Sequence, residues 1–103
     1  MRPEKLRRGV VKMASLHPGV TYWEDDRGKG PFKIRVGGTH SFVSLVDPTY
    51  KYNYPPGRVI TCEGWDNDTA LLFDSMDEAL TTADLVWDIE GLHTSIEVSR
   101  EWI

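Results

Sequence analysis

The chain has 103 residues, 40% apolar and 27% charged, which suits one globular domain and is too short for two. No apolar run approaches the ~20 residues a membrane-spanning helix needs, and the lone Cys62 excludes an intramolecular disulfide and fits a reducing, cytoplasmic setting. The net charge of −4 is lopsided: residues 1 to 12 set Arg2, Lys5, Arg7, Arg8 and Lys12 against Glu4, whereas from Thr61 onward eleven acids meet one base, Arg100.

Such a molecule repels nucleic acid over most of its surface and attracts basic proteins. The basic segment 1–15 carries a thin apolar stripe of Leu6, Val10, Met13 and Ala14. Pro3 suits a first helical turn and Gly9 weakens it, so the segment is either a short helix or a mobile arm. Lys12 interrupts its apolar part, unlike the core of a secretory signal.

Val20 to Glu24 reads as a strand, and Asp25 to Pro31 as a charged, glycine-rich turn. Phe32 to Val36 alternates, with Phe32, Ile34 and Val36 inward and Lys33 and Arg35 outward. Gly37-Gly38 predicts a two-residue hairpin turn into a returning strand over Thr39 to Val46. Asp47 to Arg58 is irregular and punctuated by proline. Val59 to Trp65 reads as a strand, Asp66-Asn67-Asp68 as a turn, and Ala70 to Phe73 as a further short strand.

The best-specified stretch follows. Ser75 with Glu78 forms a capping box, Asp77 suits the first turn, and Gly91 suits a left-handed C-terminal cap. At about 100° per residue, Met76, Ala79, Leu80, Ala83, Val86 and Trp87 share the core third of the helix. Asp74, Asp77, Glu78, Asp84 and Asp88 take the opposite side, with Leu85 and Ile89 at its edge and no lysine or arginine between Asp74 and Glu90. Thr94 to Val98 predicts a final strand. The expectation is a single α+β domain over 1–103: an antiparallel sheet of four to five strands with one main amphipathic helix packed across it.

An acidic face this uniform works against the helix. Asp74 with Glu78 and Asp84 with Asp88 are like charges four apart, and Asp88 and Glu90 sit at the negative end of the dipole. The face is either solvated for solubility, covered at Leu85 and Ile89 by the N-terminal segment, or a contact surface for a basic protein. Tyr50, Tyr52 and Tyr54, if extended, project from one face beside Lys51 and Arg58, as a protein interface would use them. The plainer reading folds two of them back onto the sheet.

Catalytic chemistry finds little footing. Gly28-Lys29-Gly30 lacks the P-loop pattern and precedes a strand. Asp66-Asn67-Asp68 lacks the glycine and distal glutamate of a calcium loop. Cys62 shares strand parity with Ile60 and reads as a buried, inert thiol, while His17, His40 and His93 have no metal-ligand spacing. No metal or cofactor is expected.

The function expected is non-enzymatic: a small acidic protein presenting Asp77, Asp84, Leu85, Asp88 and Ile89, with Tyr50, Tyr52 and Tyr54, to a basic protein partner, as an inhibitor competing with nucleic acid would. One alternative is a nucleic-acid-associated module using the basic arm and the tyrosine loop. Another is an enzyme using Cys62 and a histidine. The arm also permits a homodimer, with residues 1 to 12 of one chain on the helix face of the other.

Overall fold

The computed structural model describes residues 18–54, 56–63 and 69–99. The expected N-terminal helix or arm and the Asp66–Asp68 turn lie outside the described residues. Among the described residues five strands and one α-helix build the fold: β1 (Val20–Thr21), β2 (Phe32–Val36), β3 (Ser41–Asp47), β4 (Arg58–Glu63), α1 (Met76–Glu90) and β5 (Thr94–Val98). The sheet order is β1-β5-β2-β3-β4. All pairs are antiparallel except β1 with β5, which run parallel. The architecture is the expected α+β layer, with a mixed, mostly antiparallel sheet rather than a purely antiparallel one.

Local chemistry sets the helix ends. Ser75 is extended, at φ −130° and ψ 152°, and its hydroxyl accepts from the Glu78 amide at 3.2 Å. Gly91 closes the other end in the left-handed region at φ 67°, donating its amide to the Trp87 carbonyl at 2.8 Å. Met76, Ala79, Leu80, Ala83 and Val86 are all buried against the sheet. They meet Val20, Tyr22, Phe32, Ile34, Val43 and Ile96 in one continuous core.

Register assigns the two sheet faces, because residues paired across an antiparallel ladder share a face. Ile34 pairs Ile96 and Phe32 pairs Val98 on the helix side. Lys33 with Glu97 and Arg35 with Ser95 lie on the other, joined by Phe42 and Cys62 through the pairs Arg35–Phe42 and Phe42–Cys62. A register shift between Val43 and Leu45 lets Val43 and Val46 both face the core. Leu45 and its partner Ile60 are left on the open face, 38% and 41% exposed. Cys62 is therefore half-buried on the side away from the helix, not buried as its parity with Ile60 suggested. The parity was right; the face it names is the one away from the helix.

Three other expectations are corrected. The first strand stops at Thr21, because Trp23 accepts from the Asp26 amide at 3.0 Å and the chain winds into a 3₁₀ turn over Glu24–Asp26. The β2–β3 connection spans Gly37 to His40, four residues, closed by the Thr39 amide on the Val36 carbonyl at 3.1 Å. Residues 70–73 form no strand. Phe73 makes one bridge to Phe32, with paired bonds of 2.8 and 2.9 Å, that leads the chain into the helix.

Candidate protein interface

The cap at Ser75 and the burial of the Met76–Val86 stripe turn the helix acids outward. Asp74, Asp77, Glu78, Asp88 and Glu90 are exposed, whereas Asp84, Leu85 and Ile89 are half-buried. At the N-terminal end a cation reaches this face from elsewhere in the chain. Arg27 donates to both Glu24 carboxylate oxygens, at 3.0 and 3.2 Å, and to Asp77 at 2.8 Å. It also donates to the Tyr22 hydroxyl at 3.2 Å. The Glu24 hydrogen bonds, opposed by burial and aided by the Glu24 charge and Asp77, hold the guanidinium proton more tightly than usual. With the Asp77 side chain 86% exposed, the pair adds little stability. Its effect is to trim the negative charge at that end and leave the Asp88 and Glu90 end unneutralised by any ion pair described.

Local bonds also shape the tyrosine loop. The Asp47 carboxylate accepts from the Thr49 amide at 3.1 Å and hydroxyl at 2.8 Å, which starts a turn. The Gly57 amide donates to Tyr50 O at 2.7 Å, and Asn53 Nδ2 to Gly57 O at 2.9 Å, so the loop is bent and closed rather than extended. Tyr50 is half-buried beneath the Arg58 guanidinium, 4.4 Å from its ring centroid, and Tyr52 meets it edge-on at 5.5 Å. Arg58 Nε is buried with no hydrogen-bond partner among the described residues, and the Tyr50 ring faces it instead. Tyr52 and Tyr54 stand 79% and 100% exposed. Only Tyr50 is tucked in.

One contact, which the sequence did not reveal, joins loop to helix. Gly57 is buried at φ 115°, and a Cβ there would lie 2.9 Å from Ile89 Cγ1. The bare backbone of the loop at Gly57 thus packs on Ile89, toward the C-terminal end of the helix.

Two charge environments result. Acids line the outer helix, while Lys33 and Arg35 occupy the open sheet face, 4.2 and 4.6 Å from the Phe42 ring centroid. Phe42 is only 3% exposed beneath them. Arg35 is further committed to Glu97 through bonds of 2.7 and 3.0 Å. Among the described residues no group of three or more His, Cys, Asp and Glu is arranged to hold a metal, and no helix is long and apolar enough to cross a membrane. His40 and His93 are exposed, His93 standing edge-on to Trp87 at 5.1 Å. His17 lies outside the described residues. Lys29 of the Gly28-Lys29-Gly30 turn reaches Asp26 at 3.7 Å. Comparison with protein-family models, curated proteins and solved structures finds no match.

Proposed function

We propose that this is a non-enzymatic, cytoplasmic binding protein that offers the C-terminal half of α1, with the adjoining tyrosine loop, to a basic protein surface. The observation that carries the reading is the seating of Gly57 on Ile89, which anchors one end of the loop that bears the exposed Tyr52 and Tyr54 on the helix residue flanked in sequence by the exposed Asp88 and Glu90. Aromatic anchors beside fixed charge combine contact area with steering, the pairing that strong interfaces use. Asp84, Leu85 and Ile89 add half-buried surface on the same helix, and Asp77 marks the far, Arg27-trimmed end. A partner surface that matches this one is cationic and so also suits nucleic-acid phosphate. Occupying it makes the protein an inhibitor by charge competition.

The test is quantitative affinity capture from the source lysate, comparing the unaltered chain with Asp88→Lys/Glu90→Lys and with Tyr52→Ala/Tyr54→Ala. Both pairs are exposed, so folding is retained. The reading requires a basic protein whose capture falls at least about tenfold, or ~1.4 kcal/mol, in each variant. It also requires that nucleic acid displace this chain from the purified partner. Equal recovery on all three baits means that the carboxylates only solvate the helix. Loss of capture on neutralising Arg7 and Arg8, with the helix variants unaffected, transfers the function to the basic arm.

A further inference from the structure

The sheet opens where β1 leaves β5. The two strands pair at Val20–Thr94 and Thr21–Ser95 and no further. Past Thr21 the Asp26 amide bonds to the Trp23 carbonyl at 3.0 Å and draws the chain into its 3₁₀ turn. Beyond the last pair lies a cleft of about 150 Å³, bounded by Thr21, Tyr22 and Trp23 on one side and by Ser95, Ile96 and Glu97 on the other. Thr21 shares a face with Ser95 by register, and Glu97 shares it by alternation, so these three belong to the side of the sheet away from the helix. Trp23 is 40% exposed beside them. An apolar cavity of about 150 Å³ holds a benzene ring, so this cleft has room for one six-membered ring, with the rest of a ligand left in water.

The polar groups decide which ring fits. Glu97 accepts the Arg35 guanidinium through both oxygens, at 2.7 and 3.0 Å, and stands opposite Lys33 across the ladder. Its charge is therefore answered within the protein, and a ligand cation would meet Arg35 and Lys33 behind it. An anion would meet the carboxylate itself, with no lysine or arginine among the residues that bound the cleft. That leaves a neutral ligand. Each Glu97 oxygen has accepted one of these bonds and keeps a further lone pair, while Ser95 adds a hydroxyl that both donates and accepts. Thr21 Oγ1, which donates to the Thr94 carbonyl at a long 3.5 Å, can still accept. The cleft is thus rich in acceptors, and the strongest is a carboxylate that an arginine fixes in place, a charge-assisted partner for O–H donors. The indole adds a flat wall with an electron-rich face, suited to the polarised C–H bonds on one side of a pyranose ring. We infer that this cleft binds one ring of a neutral saccharide, its C–H face on Trp23 and its hydroxyls donating to Glu97 and exchanging bonds with Ser95 and Thr21. A nucleobase stacks on an indole equally well, but it offers few N–H donors on a single edge where a sugar offers hydroxyls around the ring. The site uses the sheet face away from α1, so it is independent of the helix-face reading.

Magnetic resonance titration of the isotope-labelled full chain tests this, with D-glucose, D-galactose, D-mannose and N-acetyl-D-glucosamine as probes and uridine and choline as contrasts. One ring in an open cleft binds with a Kd of about 1–10 mM, so each compound is taken to about 50 mM. At least one sugar should move the Trp23 indole N–H and Ser95 amide signals along a saturating curve. Trp23→Ala removes the wall and should weaken that sugar at least about tenfold. Glu97→Gln keeps the shape, removes the charge and should also cost about tenfold. Circular dichroism verifies each fold, and if the loss of the Arg35 pair unfolds Glu97→Gln, Trp23→Ala and Ser95→Ala carry the test. No saturable shift with any of these sugars overturns the inference. So does unaltered affinity in Trp23→Ala, or saturation of the same signals by uridine or choline while the sugars move nothing.

Discussion

The most exacting perturbation is a single methyl group at Gly19. This residue sits at φ 78°, and a Cβ built there falls 2.2, 2.6 and 2.9 Å from three carbon atoms of the Trp87 indole. Neither partner can easily yield. The Gly19 carbonyl accepts the Thr94 amide at 2.8 Å, which ties it to the β1–β5 pairing, and the Trp87 ring is backed by His93 at 5.1 Å. Holding alanine in a left-handed conformation costs about 1–2 kcal/mol, and forcing a methyl into packed surroundings adds roughly 1–3 kcal/mol. Gly19→Ala should thus destabilise the domain by about 2–5 kcal/mol, a large part of the ~5–15 kcal/mol total typical of such domains.

Urea unfolding followed by circular dichroism measures this as a fall in midpoint at unchanged slope. A double-mutant cycle with Trp87→Leu separates the two contributions, because removing the indole removes the clash and leaves the backbone cost. In that background Gly19→Ala should cost only about 1–2 kcal/mol, a coupling of ~1–3 kcal/mol between the two sites. The same penalty in both backgrounds would show that the indole does not rest on Gly19, and the packing of α1 over β1 would have to be redrawn.

Three further outcomes are expected. Ser75→Ala removes the acceptor for the Glu78 amide and should lower stability by about 1 kcal/mol in the same unfolding assay, with Ser75→Asp retaining most of it. Tyr22 titrates above the ordinary phenol value of about 10, chiefly because it is buried and then because of the Glu24 charge. Its contribution is therefore complete below pH 10 and lost as pH rises toward the folded value, a slope that Tyr22→Phe should abolish along with the late phenolate absorbance near 295 nm. Asp88→Lys/Glu90→Lys replaces acids at the negative end of the helix dipole with cations, and should raise stability by roughly 1 kcal/mol, seen as a higher melting temperature.

What the sequence disclosed and what it concealed divide along the range of the interactions. α1 and β5 were legible to the residue, and so was β2, because Ser75, Gly91 and the alternation of Phe32–Val36 act within a few positions. β1 was overextended, since the bond that stops it, Asp26 to Trp23, belongs to a turn with no strong breaker in Tyr22–Glu24. Its parallel pairing with β5 joins residues more than seventy positions apart, beyond what local pattern can express. The face of Cys62 was misjudged because a one-residue bulge in β3 determines which side of β4 meets the core. For the candidate interface, the helix acids and the tyrosine run were visible in sequence, but not that Tyr50 alone folds back while Tyr52 and Tyr54 stay exposed. The link between loop and helix was not visible either, because it rests on an absent side chain at Gly57 and on the remote Ile89.

The distribution of cations gives these readings a common physical ground. Lys33 and Arg35 lie over Phe42 on the open sheet face, and Arg58 lies over Tyr50. Each shields an aromatic ring, so the positive charge of the described strands is committed away from the outer helix. Arg27 alone among these cations bridges to a helix acid, and it does so at Asp77, the end remote from the tyrosine loop. Asp88 and Glu90 consequently oppose the dipole without compensation from an ion pair described, beside the loop that Gly57 seats. Stability alone would select cations there. A partner with a positive surface would select the acids. The same two substitutions should therefore strengthen the fold and weaken capture, and it is this opposition of signs, rather than either effect alone, that separates an interface from a merely soluble helix.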